Sequence, residues 1–217
     1  MKFSIFSAAL SLCCATASYA GDNNSVFVMQ DSTVNPLSGN SLFIDQSDAS
    51  NASIGGTENG GLSLQQPARQ IGGANTARLI QSGDAVASAI GLTQTTQGQT
   101  GGNDAEITVL NGGTAILEQL GVGNSAILNA DLGGSATLLQ DGDGNFGSVR
   151  ASRGASGRLE QIGDNNDDSL EVSGQNVGVS YTLRSNNATT AATGAPVQVI
   201  SNTGGSITIQ QRTIGSN

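Results

Sequence analysis

Two short segments concentrate side chains that could bind a metal ion. They are Asp141-Gly-Asp143-Gly-Asn145 and Asp164-Asn-Asn-Asp167-Asp168. Carboxylate and amide oxygens are the ligands that calcium prefers, but neither segment has the distal glutamate of a helix–loop–helix calcium loop. We therefore interpret both segments as acidic turns and predict no metal site, with weak calcium binding as the alternative.

The composition excludes several kinds of active site. The 217 residues include no His, and the formal net charge is −9. Without His there is neither a His/Cys zinc site nor a hydrolase with a histidine base. Lys2 is the only lysine, which excludes a Schiff-base or phosphate-loop lysine beyond it. We predict no catalytic residues, no cofactor, no small-molecule substrate and, for so acidic a chain, no nucleic-acid partner.

The N-terminus has the pattern of a secretory signal peptide. Lys2 is followed by an apolar run that extends to Ala17, and Ser18-Tyr19-Ala20 is a small-x-small cleavage pattern. We predict a leader of residues 1–20, cleavage after Ala20 and a single domain of residues 21–217. The adjacent Cys13 and Cys14 are interpreted as leader residues, with a lipoprotein cysteine as the alternative.

Glutamine and asparagine recur at a fixed spacing in the rest of the chain. Gln119, Gln140 and Gln161 follow one another at steps of 21 residues, and an asparagine stands five residues after each. The same register, with slips, extends in both directions, which indicates one repeat domain. Copies are predicted to start near residues 25, 41, 65, 93, 114, 135, 156, 177 and 206.

We expect these amides to form two columns when the copies stack. The glutamine column contains Gln30, Gln46, Gln70, Gln119, Gln140, Gln161 and Gln211. The asparagine column contains Asn35, Asn51, Asn75, Asn103, Asn124, Asn145, Asn166 and Asn187. Stacked amides can bond one another, which satisfies polar groups that are otherwise costly to bury. Solvated turn residues are the alternative interpretation.

Two alternating runs in each copy must position these amides. Ala115, Leu117 and Gln119 alternate with polar residues, and a second such run follows Asn124. A period of two places such residues on one face of a β-strand. Glycines that allow tight arcs between the runs are predicted at Gly72, Gly121, Gly123, Gly142, Gly144 and Gly163. The predicted fold is all-β, a β-solenoid of stacked strand-turn-strand rungs with about 21 residues per rung.

The repeat resembles that of curlin, the family of curli amyloid fibre subunits. Residues 70–81 carry the family pattern Gln-x-Gly-x-x-Asn-x-Ala-x3-Gln in full, and its centre returns after Gln119, Gln140 and Gln161. The resemblance implies a secreted structural subunit that self-assembles into extracellular fibres for adhesion and biofilm matrix. It also implies a Gram-negative bacterium, an outer-membrane export pore and other curlin-type subunits as partners. Residues 209–212 are similar to the Arg-bearing end of the minor, nucleating subunit.

Other interpretations of the chain stay open at this point. A soluble monomeric β-solenoid, acting as an adhesin or ligand-binding surface protein, would use inserts at residues 86–92 and 188–205 as side loops. An enzyme on a β-helix is disfavoured because the chain has no His and no Lys beyond the predicted leader. Asp168 is expected on the inward face, where a carboxylate is costly to bury, so its strand is either strained or starts later.

Overall fold

The computed structural model describes residues 23–32, 39–83, 86–96, 101–187, 197–200 and 205–212. Every regular element within them is a β-strand, so the predicted all-β class is confirmed. No helix in this part of the chain has the length and apolar character needed to cross a membrane. The predicted leader with Ala20 lies outside the described residues, as does Asn35.

The strands form two sheets. Sheet A contains β1 (Ser25–Val26), β2 (Val28–Asp31), β4 (Ser53–Glu58), β5 (Gly61–Ser63), β6 (Ala68–Ile71), β8 (Ala89–Thr95), β10 (Thr114–Leu120), β12 (Ser135–Asp141), β14 (Ser156–Ile162), β16 (Val177–Arg184) and β18 (Gly205–Arg212). Sheet B contains β3 (Ser41–Ala49), β7 (Thr76–Gly83), β9 (Asp104–Leu110), β11 (Ser125–Asp131), β13 (Phe146–Ser152), β15 (Asp167–Ser173) and β17 (Val197–Ile200). From β6 onward, successive strands of the chain alternate between the two sheets.

Strands within each sheet pair in parallel and in register. Thr114 of β10 pairs with Ser135 of β12, which pairs in turn with Ser156 of β14. In sheet B, Ser125 of β11 likewise pairs with Phe146 of β13. This register places equivalent positions of successive copies on top of one another, and we call each such set of positions a column.

The core is a thin layer of aliphatic side chains between the sheets. Ala115 and Leu117 on β10 and Ala126 and Leu128 on β11 are all buried. The residues that alternate with them point outward, as exposed Glu106 does on β9. Strand geometry therefore explains how a chain with 3% aromatic residues builds a core from Leu, Ile, Val and Ala.

One hairpin departs from the parallel pattern. β4 pairs with β8 only over Ser53–Gly55, after which Gly56–Glu58 pairs antiparallel with β5. Asn59 and Gly60 form the tip, with φ angles of 52° and 71°. An Asn-Gly pair with two positive φ angles is typical of a two-residue hairpin. The chain then rejoins sheet A at Ala68, so residues 56–67 are an insertion within one strand position.

The predicted side loops are partly strands. Within the first predicted insert, residues 89–92 are not a side loop, because β8 begins at Ala89 and pairs with β4, β6 and β10. Residues 197–200 within the second insert form β17, which pairs with β15. The remaining residues of that insert between 188 and 204 lie outside the described part of the chain. The insertion at residues 56–67 lengthens the copy within one strand position.

The edge strand of sheet B at its N-terminal end is irregular. In the part of the chain that the structure describes, β3 pairs with β7 alone, and its register shifts between Asp45 and Asp48. There the side-chain hydroxyl and the backbone N–H of Ser47 donate to Asp45 Oδ1 at 2.7 Å and 3.0 Å. These two hydrogen bonds lower the pKa of Asp45, since they favour the charged carboxylate. A bulge of this kind disturbs the edge that another strand would pair with.

Candidate functional site

A column of glutamine amides runs along the inward face of sheet A. The Nε2 of each glutamine donates to the Oε1 of the next, from Gln30 to Gln70 (2.6 Å), Gln94 (2.8 Å), Gln119 (2.9 Å), Gln140 (2.9 Å) and Gln161 (2.8 Å). The steps along the chain are 40, 24, 25, 21 and 21 residues. The strand register, rather than a constant repeat length, therefore keeps the amides aligned.

From Gln70 to Gln161, each amide also ties sheet A to sheet B. The Nε2 of Gln119 donates to the backbone O of Asp104 at 3.1 Å, and that of Gln140 donates to Ser125 O at 3.1 Å. Gln161 bonds Phe146 O in the same way at 2.8 Å. The acceptor is in each case the first residue of a sheet-B strand. One buried side chain thus uses both amide hydrogens and its oxygen, which offsets the cost of burying it.

A second column, of asparagines, closes the arcs that lead into sheet B. Nδ2 of Asn166 donates to Asn145 Oδ1 at 3.0 Å, and Nδ2 of Asn145 donates to Asn124 Oδ1 at 3.1 Å. Asn124 Nδ2 also donates to Gly142 O in the neighbouring arc at 2.8 Å. Within the described residues, the column consists of Asn40, Asn75, Asn103, Asn124, Asn145 and Asn166.

The structure moves Gln46 out of the predicted glutamine column. Gln46 lies on β3 in sheet B, and its Nε2 donates to Gln81 Oε1 at 2.7 Å. The alternation in this strand indicates that the side chains of Leu42, Ile44 and Gln46 face inward. It does not indicate which of the two sheets the strand joins. The deciding signal was Asn40, which precedes Gln46 by the same six residues that separate Asn75 from Gln81. Asn40 and Gln94 are members of the two columns that the sequence prediction omitted, whereas Gln81 pairs with Gln46 in sheet B, outside both columns.

The glutamine column is also interrupted near the C-terminus. Gln161 is in register with Leu183, and Leu183 with Gln211. Gln211 therefore occupies the right column but is separated from Gln161 by a fully buried leucine. This copy is one residue longer than the copies before it, because the step from Gln161 to Leu183 is 22 residues, and leucine rather than glutamine occupies the column position.

Two predicted members of the asparagine column lie in arcs instead. Asn51 and Asn187 are exposed and have φ angles of 57° and 58°. Asn187 N donates to Asp164 O at 2.8 Å, just as Asn165 N donates to Asp143 O at 2.8 Å. Asn187 thus corresponds to Asn165 rather than to Asn166. Asn tolerates the left-handed region that these turn positions require.

The six predicted arc glycines all have positive φ angles. They are Gly72 (94°), Gly121 (109°), Gly123 (72°), Gly142 (130°), Gly144 (67°) and Gly163 (110°). At Gly142 the space is closed as well, because a Cβ atom would lie 2.3 Å from the backbone O of Gly163. Successive arcs therefore stack so closely that the backbone of one arc occupies the place of a side chain in the next.

The acidic turns make backbone contacts between neighbouring arcs. Asp143 Oδ1 accepts from the N–H of Val122 at 2.8 Å, and Asp164 Oδ1 accepts from the N–H of Asp143 at 2.9 Å. Asn186 Oδ1 continues the row by accepting from Asp164 N at 3.0 Å. No group of three or more His, Cys, Asp or Glu side chains in the described part of the chain could hold a metal ion. These carboxylates bind N–H groups of the arc next to them.

Asp168 lies on the inward face of sheet B. It is 1% exposed and is in register with Gly147, and its Oδ1 accepts from Ser169 N at 2.8 Å. One of the two expectations was that the strand starts after Asp168. That expectation is wrong, because β15 begins at Asp167. At the paired position on β13, the space that a side chain of residue 147 would need is filled by Leu138 and Gln161, whose atoms lie 2.8–2.9 Å from the ideal Cβ position of Gly147.

The comparisons with known proteins do not assign this chain to a family. No protein-family model matches it, and neither a curated protein nor a solved structure matches it. Its function is therefore inferred from the columns, the arcs and the edges of the sheets.

Proposed function

We propose that this chain is a secreted, curlin-like structural subunit that assembles with further copies of itself into an extracellular amyloid fibre. Each sheet-A strand and the sheet-B strand after it would form one rung, of about 21 residues, of a β-solenoid, and copies would stack end to end. The fibre would serve adhesion and biofilm matrix, with export through an outer-membrane pore. The role is structural, and it requires neither a catalytic residue nor a cofactor.

The observation that carries this proposal is the match between the two edges of sheet A. At the N-terminal edge, Val26, Val28 and Gln30 occupy the inward columns. At the C-terminal edge, the same columns hold Ile207, Ile209 and Gln211. Parallel stacking of β18 on the β1–β2 edge of the next copy would pair apolar with apolar positions. It would also place Gln211 next to Gln30 and continue the amide column across the junction.

Charge supports the same head-to-tail register. The column after the glutamines begins with Asp31 at the N-terminal edge and ends with Arg184 and Arg212 at the C-terminal edge. Stacking in the register of the interior would set Arg212 of one copy beside Asp31 of the next. In an acidic chain with only 8 Lys and Arg residues, two arginines in one terminal column favour an acidic neighbour.

Both edges also expose apolar surface that stacking would bury. Val26 is 48% exposed although Ile54, its neighbour in the column, is buried. Ile207 is 43% exposed although Val179, next to it, is buried. Among the described residues, β18 pairs only with β16, β1 only with β4 and β2 only with β6. A strand with one unpaired edge is a template for pairing with another chain.

Reversal of the junction charges tests the proposal. We expect Asp31→Arg and Arg212→Asp each to slow seeded growth about fivefold, since an exposed ion pair contributes up to ~1 kcal/mol. The double variant restores opposite charges and should grow at close to the original rate. The measurement is thioflavin-T fluorescence of the purified chain after dilution from denaturant, with and without preformed seeds.

The outcomes of this experiment separate the candidate functions. Equal growth of both single variants and the double variant would contradict the head-to-tail junction. A soluble monomer with β-type circular dichroism and no thioflavin-T signal would contradict fibre formation altogether. That result would favour a monomeric β-solenoid that acts as an adhesin or ligand-binding surface protein.

Removing charge from the acidic arcs should speed assembly. Asp143 and Asp164 lie in neighbouring arcs and are exposed, so their carboxylates repel each other within a copy and between approaching copies. Asp143→Asn with Asp164→Asn keeps each Oδ1 acceptor but removes both charges. We expect this variant to shorten the lag about twofold at low salt, with the difference lost near 1 M salt because of screening.

The matched control separates charge from hydrogen bonding. Asp143→Ala with Asp164→Ala removes the same charges and also the acceptors for Val122 N and Asp143 N. It should be less stable to urea than the asparagine variant. An asparagine variant with an unchanged lag at low salt would show that these charges do not limit assembly, and the same reasoning extends to Asp141 and Asp167.

A further inference from the structure

Residues 56–67, which we call the clasp, lie on the outer face of sheet A. The clasp consists of the end of β4, the Asn59-Gly60 tip, β5 and the return to Ala68. Near its base, Thr57 Oγ1 donates to Thr93 Oγ1 of β8 at 2.7 Å. At its tip, Arg158 Nη1 of β14 donates to Gly60 O at 3.4 Å, across 98 residues of chain. The clasp therefore extends over the strands from β8 to β14.

The face beneath the clasp is shaped to receive it. Gly91 of β8 is buried, and a Cβ atom there would lie 3.0 Å from Leu62 Cδ1 of the clasp. Gly60 packs against Leu139 of β12, whose Cδ2 lies 3.0 Å from the ideal Cβ position of that glycine. Thr137 points outward from β12 yet is only 8% exposed. Contacts of the clasp thus reach β8, β12 and β14.

The clasp joins sheet A through a closed neck. Gly56 N donates to Gln66 O at 2.8 Å, so the departing and returning segments bond each other. A Cβ atom at Gly56 would lie 2.2 Å from the backbone O of Pro67, and one at Gly55 would lie 2.9 Å from Ser63 O. Two glycines are needed where the segments cross. The neck holds the clasp in one orientation relative to the sheet.

We propose that the clasp fastens β8, β10, β12 and β14 into one cooperative block, so that the chain is already folded when it stacks. In a stack of repeats each unit contacts only its neighbours, so the stability of the stack is approximately the sum of contributions from single repeats and from the contacts between neighbours. The end repeats can therefore unfold while the rest of the stack stays folded. The clasp begins at β4 and returns to β6, and it contacts β14 directly. It therefore couples the opening of β14 to the opening of the strands that lie between. The part of this inference that concerns stacking rests on the proposed function, whereas the cooperative block does not.

A deletion that preserves the register provides the test. Joining Gly55 to Ala68 gives Ser53-Ile-Gly55-Ala68-Arg-Gln70, which has the length of Ala89-Ile-Gly-Leu-Thr-Gln94 in the adjacent strand. Gln70 then keeps its place beside Gln94, since both halves of that strand position already pair with β8. Thr57→Val is a milder variant that removes the bond to Thr93, and Glu58→Ala, at an exposed position, is the control.

The readout is hydrogen exchange of the monomer, measured before any fibre signal develops. In the intact chain and in Glu58→Ala, the amides of β8 and β14 should exchange at a common rate. The deletion should make β14 exchange at least tenfold faster than the intact chain, and Thr57→Val should move in the same direction by less. Uniform exchange in the deletion variant, equal to that of the intact chain, would overturn the cooperative block.

The same samples distinguish this inference from the proposed function. Seeded growth of the deletion variant should persist, because β1, β2 and β18 at the edges of sheet A are unchanged. If neither the intact chain nor the deletion variant forms fibres, fibre assembly is contradicted. The hydrogen-exchange result still tests the cooperative block in that case. An intact chain that exchanges all its amides freely until it joins a seed would overturn the claim that it folds before stacking.

Discussion

Replacing Gln119 and Gln140 together with alanine should abolish fibre growth, whereas Glu118→Ala should leave growth close to normal. The double variant removes three consecutive amide bonds, from Gln94 to Gln119, from Gln119 to Gln140 and from Gln140 to Gln161. It also removes the two bonds to the sheet-B carbonyls of Asp104 and Ser125. Each buried polar group left unpaired costs about 1–3 kcal/mol, which is a large part of the stability of a single domain.

Urea unfolding and seeded thioflavin-T growth measure this effect. Glu118 is the matched control because it lies on the same strand, next to Gln119, but faces outward. A single Gln119→Ala variant should fall between the two, since it removes two of the three amide bonds. Normal growth and normal urea stability of the double variant would show that the column is not what holds the stack together.

Gly142→Ala should be strongly destabilising for a change that adds a single methyl group to an arc. The φ angle of 130° is strained for any residue with a side chain, and the added Cβ would lie 2.3 Å from Gly163 O. The strain alone costs about 1–3 kcal/mol. The neighbouring arc cannot yield without moving its own backbone, so the stack must open locally or shift. We expect loss of the cooperative thermal transition or a decrease in the midpoint by many degrees.

Gly133→Ala is the control that separates backbone strain from crowding. Gly133 has a φ of 74°, but a Cβ atom there has nothing within 4 Å. That variant should lose only about 1–2 kcal/mol, the cost of a left-handed residue with a side chain. If the two alanine variants melt at the same temperature, close stacking of the arcs contributes nothing beyond the φ preference.

The sequence predicts the fold best where copies of equal length follow one another. From Thr114 to Val172 the step of 21 residues is unbroken, and there every predicted glutamine and asparagine lies in its column. Alternation also identifies which face of each strand is buried. It does not identify which sheet a strand joins, which is why Gln46 was placed in the wrong column.

Changes in copy length account for the remaining errors. The clasp adds residues within a strand position, so the two halves of that position fall in different predicted copies. Its tip, Asn59-Gly60, is a recognisable hairpin signal that a 21-residue spacing does not reveal. The single additional residue before Leu183 is harder to detect, because leucine fits the inward pattern as well as glutamine does.

The glutamine row has a direction. From Gln30 to Gln140, the Nε2 of each glutamine donates to the Oε1 of the next glutamine towards the C-terminal edge of sheet A, and Gln161 accepts the last of these bonds. The amide dipoles are thus aligned head to tail, and aligned hydrogen-bonded groups polarise one another. Oxygens face one end of the row and hydrogens face the other, so a stack built on this row is polar along its length.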